Sequence, residues 1–354
     1  KIDNFTIFIP GTIKGEKVRV LIVKVLSSHG FGKIVEIIEK SQARQDVDCN
    51  TYKRCGGCNL RHVKYEETLK MKQNAVQSLV NKTLKNKLQV RETVGMENPL
   101  HYRNKAQYPI GINKQGEPVI GVFANRTHEV IPIDNCLIQN KKSEEIAKFI
   151  IEFIKEKNIS IYDEKKGKGL VRHIVTKVGI KTGEIMCVIV INGHKIPNEN
   201  ELVENLKTRY PEIKAIVKNI NMKNTNVILG QENINLYGNG YIEDILGEYK
   251  FKISPLSFYQ VNPVQAEKLY NLGVSMAEIT KNDVVFDLYC GIGTISLFMS
   301  KFAKKVYGIE IVEEAVKMAK ENAQNNNVSN TEFFAGDVEI VLDDLINNKG
   351  LKAD

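Results

Sequence analysis

"VVFDLYCGIGTISLFMSKFAKKVYGIEIVEEAVKMAKENAQNN", residues 284–326, decides how the carboxyl-terminal part of this chain folds. A short apolar run ends in Asp287-Leu288-Tyr289, turns at Gly291 and Gly293, and enters a helix-like segment. A second apolar run, "KVYGIEI", ends at the acidic Glu310, and a third, "FFAGD", ends at Asp337. Such strand–helix alternation is the signature of a parallel sheet. The glycines supply turn dihedrals that other residues resist and let a ligand approach the backbone. An acid about 20 residues beyond a glycine turn is placed to accept hydrogen bonds from ribose hydroxyls.

A nucleoside-containing cofactor is therefore expected, and two details argue against a dinucleotide. The third glycine of G-x-G-x-x-G is replaced by Ser296, and Asp337 is suited to an adenine amino group. S-adenosylmethionine, which has no phosphates to neutralise, fits better. Upstream, "SPLSFYQVNPVQAEKLY" sets Asn262 before Pro263, with Gln265 three residues on, a helix start with its cap. Gln260 lies just before that cap; on its own it reads as a solvated loop residue.

Working outward, "GTIKGEKVRVLIVKVLSSHGFGKIVEII" alternates polar and apolar residues in short runs, suggesting a small β-barrel of the oligonucleotide-binding type over residues 1–42. Residues 64–88 read as one amphipathic helix, able to pack on the carboxyl-terminal domain. Residues 43–250 form a central α+β domain: strands at "AQYPIGI" and "VIGVF", a helix at "KKSEEIAKFIIEFIKEK", and a hairpin of "RHIVTKVGI" and "EIMCVIVI". Residues 251–354 are the cofactor-binding α/β domain. The fold class is thus multidomain α+β and α/β.

Three of the six cysteines stand in "CNTYKRCGGC", residues 49–58: Cys49, Cys55 and Cys58, with Cys136 remote in "PIDNCLIQN". A tight trio plus one distant thiolate suits a 4Fe–4S cluster, and Gly56 and Gly57 would let the loop wrap an inorganic core. Zinc is the alternative on spacing alone. Cys187, in an apolar run, and Cys290, in the cofactor turn, read as packing residues.

The chain of 354 residues has 42% hydrophobic and 26% charged residues, with no apolar run approaching the roughly 20 residues that span a bilayer. No signal-peptide layout opens it, so a cytoplasmic protein with reduced thiols is expected. The net charge is +8, yet residues 1–140 hold 22 Lys and Arg against 13 acids, and the remaining 214 hold 28 against 29. All the surplus charge lies in front, either a solubilising surface or an electrostatic footprint for nucleic acid.

With these stretches in place, the chain resembles the RNA uracil-5-methyltransferases over essentially its whole length. The branch acting on 23S ribosomal RNA, with a TRAM domain and an iron–sulfur cluster, is most similar. The likeness rests on "KGEKVRVLIVKV", "CNTYKRCGGC", "HYRNKAQYPIG", "VRHIV", "SFYQVN", "DLYCGIGT", "GIEIVEEAV" and "GDVE" together. The resemblance implies cluster ligation by Cys49, Cys55, Cys58 and Cys136, and S-adenosylmethionine binding by Gln260, Tyr289, Thr294, Glu310 and Asp337. It implies ribosomal RNA as partner, with neither DNA nor membrane, and a monomer. Arg103 and Lys105 become candidates for contacts near the target nucleotide, with plain surface charge as the alternative.

In that family a cysteine thiolate adds to carbon 6 of a uracil taken out of its stack, carbon 5 takes the methyl group, and a base removes the carbon 5 proton. The nucleophile follows an Asp-Pro-Pro-Arg motif, which these residues lack, and no cysteine follows Cys290. The nucleophile and base are therefore expected beyond Asp354, and residues 1–354 alone are expected to bind without turnover. Competing expectations are a transfer RNA methyltransferase, a non-catalytic RNA-binding module with a structural cluster, and a NAD-dependent oxidoreductase.

Overall fold

The computed structural model describes residues 4–84, 88–113, 115–125 and 127–354. Its internal contacts divide the chain into two units, Lys1–Pro99 with Val122–Ile131, and Leu100–Gly121 with Pro132–Asp354. The divisions expected from sequence, at 42/43 and 250/251, do not coincide with these.

In the first unit, β1 (Thr6–Phe8), β2 (Lys17–Val25) and β3 (His29–Glu39) form a sheet in the order β1-β3-β2, with β1 parallel and β2 antiparallel to β3. The pairing of β2 with β3 slips at three points, and at Gly32 a side chain would collide with Val20. The expected closed barrel is not found: among the described residues this sheet is open. Three strands are too few to wrap round one another, since a barrel of the oligonucleotide-binding kind uses five.

The sheet is tied to the next segment by an ion pair. The Arg44 guanidinium meets both Glu16 carboxylate oxygens, at 2.5 and 2.8 Å, and the Ile13 amide donates to the same carboxylate at 2.9 Å. Helix α1 (Tyr65–Leu84) matches the expected amphipathic helix, although residues 85–87 of the expected span lie outside the described residues. Its partners are polar as much as apolar. The Met96 amide donates to the Tyr65 hydroxyl, and the Gln77 side chain pairs with Val90 and Leu88. Val76 and Leu79 stay exposed.

Strands β4 (Lys105–Ile112), β5 (Pro118–Phe123), β6 (Val130–Pro132), β7 (Val171–Val178), β8 (Ile185–Ile191), β9 (Ile213–Ile220) and β10 (Glu232–Tyr237) belong to a seven-stranded sheet. The order is β10-β9-β8-β7-β4-β5-β6. The hairpin read from sequence is β7 with β8, while β8 and β9 are parallel, joined by the crossover helix α3 (Glu199–Arg209). Helix α2 (Lys141–Glu156), capped by Asn140, buries Ile146, Ile150 and Ile154 at the i, i+4, i+8 spacing of one helix face.

The hairpin β11 (Ile242–Leu246) and β12 (Tyr249–Ile253) leads to α4 (Pro263–Met276), β13 (Val284–Leu288), α5 (Thr294–Ser300), β14 (Lys305–Glu310), α6 (Glu313–Asn325), β15 (Thr331–Ala335) and α7 (Val338–Asp343). Strands β13, β14 and β15 are parallel and adjacent in that order, as the alternation required. One hydrophobic core runs from Val188 through Phe251 and Phe298 to Phe333. It joins the seven-stranded sheet to the parallel one and explains why no contact boundary falls near residue 250. Among the described residues, no helix is long and apolar enough to cross a membrane.

Candidate functional site

The parallel order of β13, β14 and β15 brings their carboxyl ends side by side, the place where open α/β sheets bind ligands. Leu288 ends the first strand with Tyr289 just after it, Glu310 ends the second, and Gly336-Asp337 follows the third. Tyr289 adopts the left-handed φ of 65° and is 72% exposed. A non-glycine residue held there is strained, a condition found at ligand sites. At Gly291, φ is 56°, and a side-chain carbon would meet nothing within 4 Å, so the loop is open above this residue. At Gly293 such a carbon would press on Phe333 and Ala319, because α5 starts hard against the core.

Glu310 holds this loop. Its Oε2 accepts from the Gly291 amide at 3.1 Å and its Oε1 from the Val312 amide at 3.0 Å. An ionised carboxylate offers about four acceptor positions. Two therefore remain for hydroxyls, and the room above Gly291 gives them access. These residues fit an adenosyl group. Asp337 is exposed, but its Oδ1 already accepts from the Glu339 amide at 2.9 Å as the cap of α7. Only its other oxygen is left for a ligand. Thr294 is the first residue of α5.

Gln260 sits in the loop between β12 and α4 with its side chain exposed. The helix start read from sequence is present: Asn262 caps α4 by accepting from the Gln265 amide at 3.1 Å, with Pro263 behind it. The Asn104 side chain, buried beside β4, donates to the Gln260 carbonyl at 2.9 Å, and its amide donates to Val261 at 3.0 Å. Farther back, the Lys177 ammonium donates to the carbonyls of Ser254 and Ser257, at 2.7 and 2.8 Å. Asn104 and Lys177 were missed from sequence. "RHIVTKVGI" reads only as half of a hairpin; β7 is buried along its whole length, and a lysine inside such a strand was the available signal.

Cys290 is buried, and burial first, then the Asp287 and Glu310 charges, push its thiol up to about 12. Cys187 is fully buried within β8. Asp287 accepts from the Ser296 hydroxyl at 2.5 Å, so the serine replacing the third glycine closes a contact between strand and helix.

The expected cluster is not drawn by the geometry. Cys49, Cys55, Cys58 and Cys136 are of intermediate exposure, yet no three His, Cys, Asp or Glu among the described residues come together as a metal site. In the first unit, Cys49 Sγ lies 3.4 Å from the Thr51 hydroxyl, and Cys55 Sγ accepts from the Gly57 amide at 3.3 Å. These sulfurs are engaged by their own loop. In the second unit, Glu144 takes the Asn135 and Cys136 amides, at 2.6 and 2.8 Å, and so fixes the backbone of the fourth cysteine on α2.

Comparison with known proteins places this geometry. Residues 64–343 match the sequence profile of the family described as tRNA (Uracil-5-)-methyltransferase. An uncharacterized RNA methyltransferase of Clostridium acetobutylicum is 49% identical over 354 residues, 99% of this chain and 76% of that protein. One from Staphylococcus aureus is 42% identical over 343 residues, 97% of this chain and 76% of its own length. Among solved structures, the Pyrococcus abyssi tRNA (uracil-54, C5)-methyltransferase in complex with S-adenosyl-L-homocysteine superposes with a TM-score of 0.73 at 24% identity. It covers 94% of this chain and 75% of that one. This shows a shared methyltransferase fold.

Proposed function

The chain belongs to the tRNA (uracil-5-)-methyltransferase family, and from that premise we propose that it serves the methylation of carbon 5 of a uridine in 23S ribosomal RNA. The observation that carries the reading is the convergence of the Gly291 loop, Glu310 and Asp337 at the carboxyl ends of three neighbouring parallel strands. S-adenosylmethionine, when bound there, supplies an electrophilic methyl group. Glu310 receives the ribose hydroxyls, Asp337 the adenine amino group, and Tyr289 and Thr294 flank the ligand. Gln260 is held in place from behind by Asn104. Arg103 and Lys105 meet the RNA near the target uridine.

Cys290 is not the nucleophile of this chemistry. A thiol pushed up to about 12 is almost wholly protonated at neutral pH and is buried besides. We assign the covalent step to residues outside this loop. A 4Fe–4S cluster on Cys49, Cys55, Cys58 and Cys136 belongs to the same reading. Its support is the cysteine spacing and the resemblance, not the described geometry.

A transfer RNA uridine is the second reading, favoured by the fold shared with the Pyrococcus abyssi enzyme. Tritiated methyl transfer from S-adenosylmethionine by the enzyme, offered 23S ribosomal RNA and bulk transfer RNA in parallel, separates the two. Label in 5-methyluridine from ribosomal RNA alone supports the first. Label in transfer RNA alone overturns it.

A further inference from the structure

Lys105 of β4 and Lys177 of β7 stand directly opposite each other in the strand register. Like charges in that relation repel, and here no carboxylate relieves them. Neither lysine has an ion-pair partner among the described residues; the charge that acts on Lys105 is that of Arg103, and the charge that acts on Lys177 is that of Lys105. Arg103 adds a buried Nε that donates to nothing. Lys177 is only 4% exposed, and two backbone carbonyls use two of its three N–H donors. Burial first, then the Lys105 charge, lower it to about 7. A buried ammonium without a carboxylate either gives up its proton or takes a counter-charge from a ligand.

A cavity is there. It measures about 60 Å³ and is lined by Asn104, Lys105, Lys177 and Ser257 among apolar neighbours such as Ile253 and Phe258, beside the loop that leads to Gln260. A single water needs ~10–15 Å³ on the same measure, so the space admits a group the size of a phosphate. We propose that this cavity is an anion site, in which Lys105 and Lys177 receive a phosphodiester phosphate of the RNA strand next to the nucleotide presented to the cofactor loop. The ligand identity rests on the methyltransferase reading above; the charge imbalance does not. Because Lys177 also grips the carbonyls of Ser254 and Ser257, a phosphate held there fastens RNA to the segment that carries Gln260.

The test is binding of a fluorescent single-stranded oligouridylate to the whole chain across a salt series, for wild type, Lys177→Met, Lys177→Arg and Lys105→Gln. Loss of one phosphate contact lowers the slope of log affinity against log salt by ~0.7 on single strands. Lys177→Met and Lys105→Gln should each lower the slope by that amount and weaken binding about five- to twentyfold, with Lys177→Arg near wild type. Lys105 is only partly buried, so its variant keeps the test alive if Lys177→Met fails to fold. Unchanged slope and affinity in Lys105→Gln would overturn the proposal. So would weakened S-adenosylmethionine binding with an intact RNA salt slope, which would make the cofactor carboxylate the occupant. If wild type binds no S-adenosylmethionine, the methyltransferase reading fails separately. Titration with inorganic phosphate, followed by phosphorus line broadening that is lost in Lys105→Gln, then reports on the cavity alone.

Discussion

The Asn104 side chain holds the Gln260 carbonyl at 2.9 Å across 156 residues of sequence. Through this bond a residue beside β4 fixes the segment that carries Gln260. Asn104→Ala removes a buried hydrogen bond, about 1–3 kcal/mol with one partner left unpaired. Its effect should fall on S-adenosylmethionine affinity, weakened roughly tenfold, with less change in thermal midpoint than a core truncation such as Phe251→Ala. Equal loss in both quantities would make Asn104 purely structural.

Tyr289 predicts a trade between stability and binding. Its left-handed φ of 65° costs a non-glycine residue about 1–2 kcal/mol, which glycine does not pay. Tyr289→Gly should raise the thermal midpoint by about one to three degrees while weakening the cofactor. A variant less stable than wild type would show that the ring packs rather than waits for a ligand.

Glu16 and Lys177 both make stability rise with pH, in two separate windows. The Arg44 hydrogen bond, chiefly, holds Glu16 at about 2 instead of 4.5. Its contribution is complete above about 4.5 and is lost as pH falls toward 2. Lys177 is lowered from 10.5 to about 7, so between those values the unfolded chain binds more protons and stability rises with pH. Urea unfolding from pH 2 to 10 should show both arms. Glu16→Gln should flatten the acid arm and Lys177→Met the alkaline one.

Iron content tests the cysteines. Protein prepared without oxygen should carry four irons per chain, and Cys49→Ser, Cys58→Ser and Cys136→Ser should each abolish them. Stoichiometric zinc instead of iron would favour the other metal. No metal at all would leave Cys49 and Cys55 as the structure has them, bonded within their own loop.

Much of this was legible in the sequence because local rules and tertiary packing agreed. The run 284–326 became β13, α5, β14 and α6, since glycine turns and apolar runs act over a few residues. Asn262, Pro263 and Gln265 formed the cap they spelled. The closed barrel was illegible for the opposite reason: alternation identifies strands, but closure depends on how many strands meet. Lys177 was hidden because period-two patterning assigns a lysine to the wet face, and only the packing of neighbours on both sides of β7 buries it. The four cysteines share a spacing, and spacing does not say whether their sulfurs point to one place.

The most direct measurement is calorimetric titration of S-adenosylmethionine into the wild-type chain and Glu310→Gln. Micromolar binding at one site, weakened about ten- to hundredfold by losing the carboxylate that spans Gly291 and Val312, is the expected result. Heat-silent wild-type protein, or a variant that binds as well as its parent, would mean that the strand ends of β13, β14 and β15 do not hold the methyl donor.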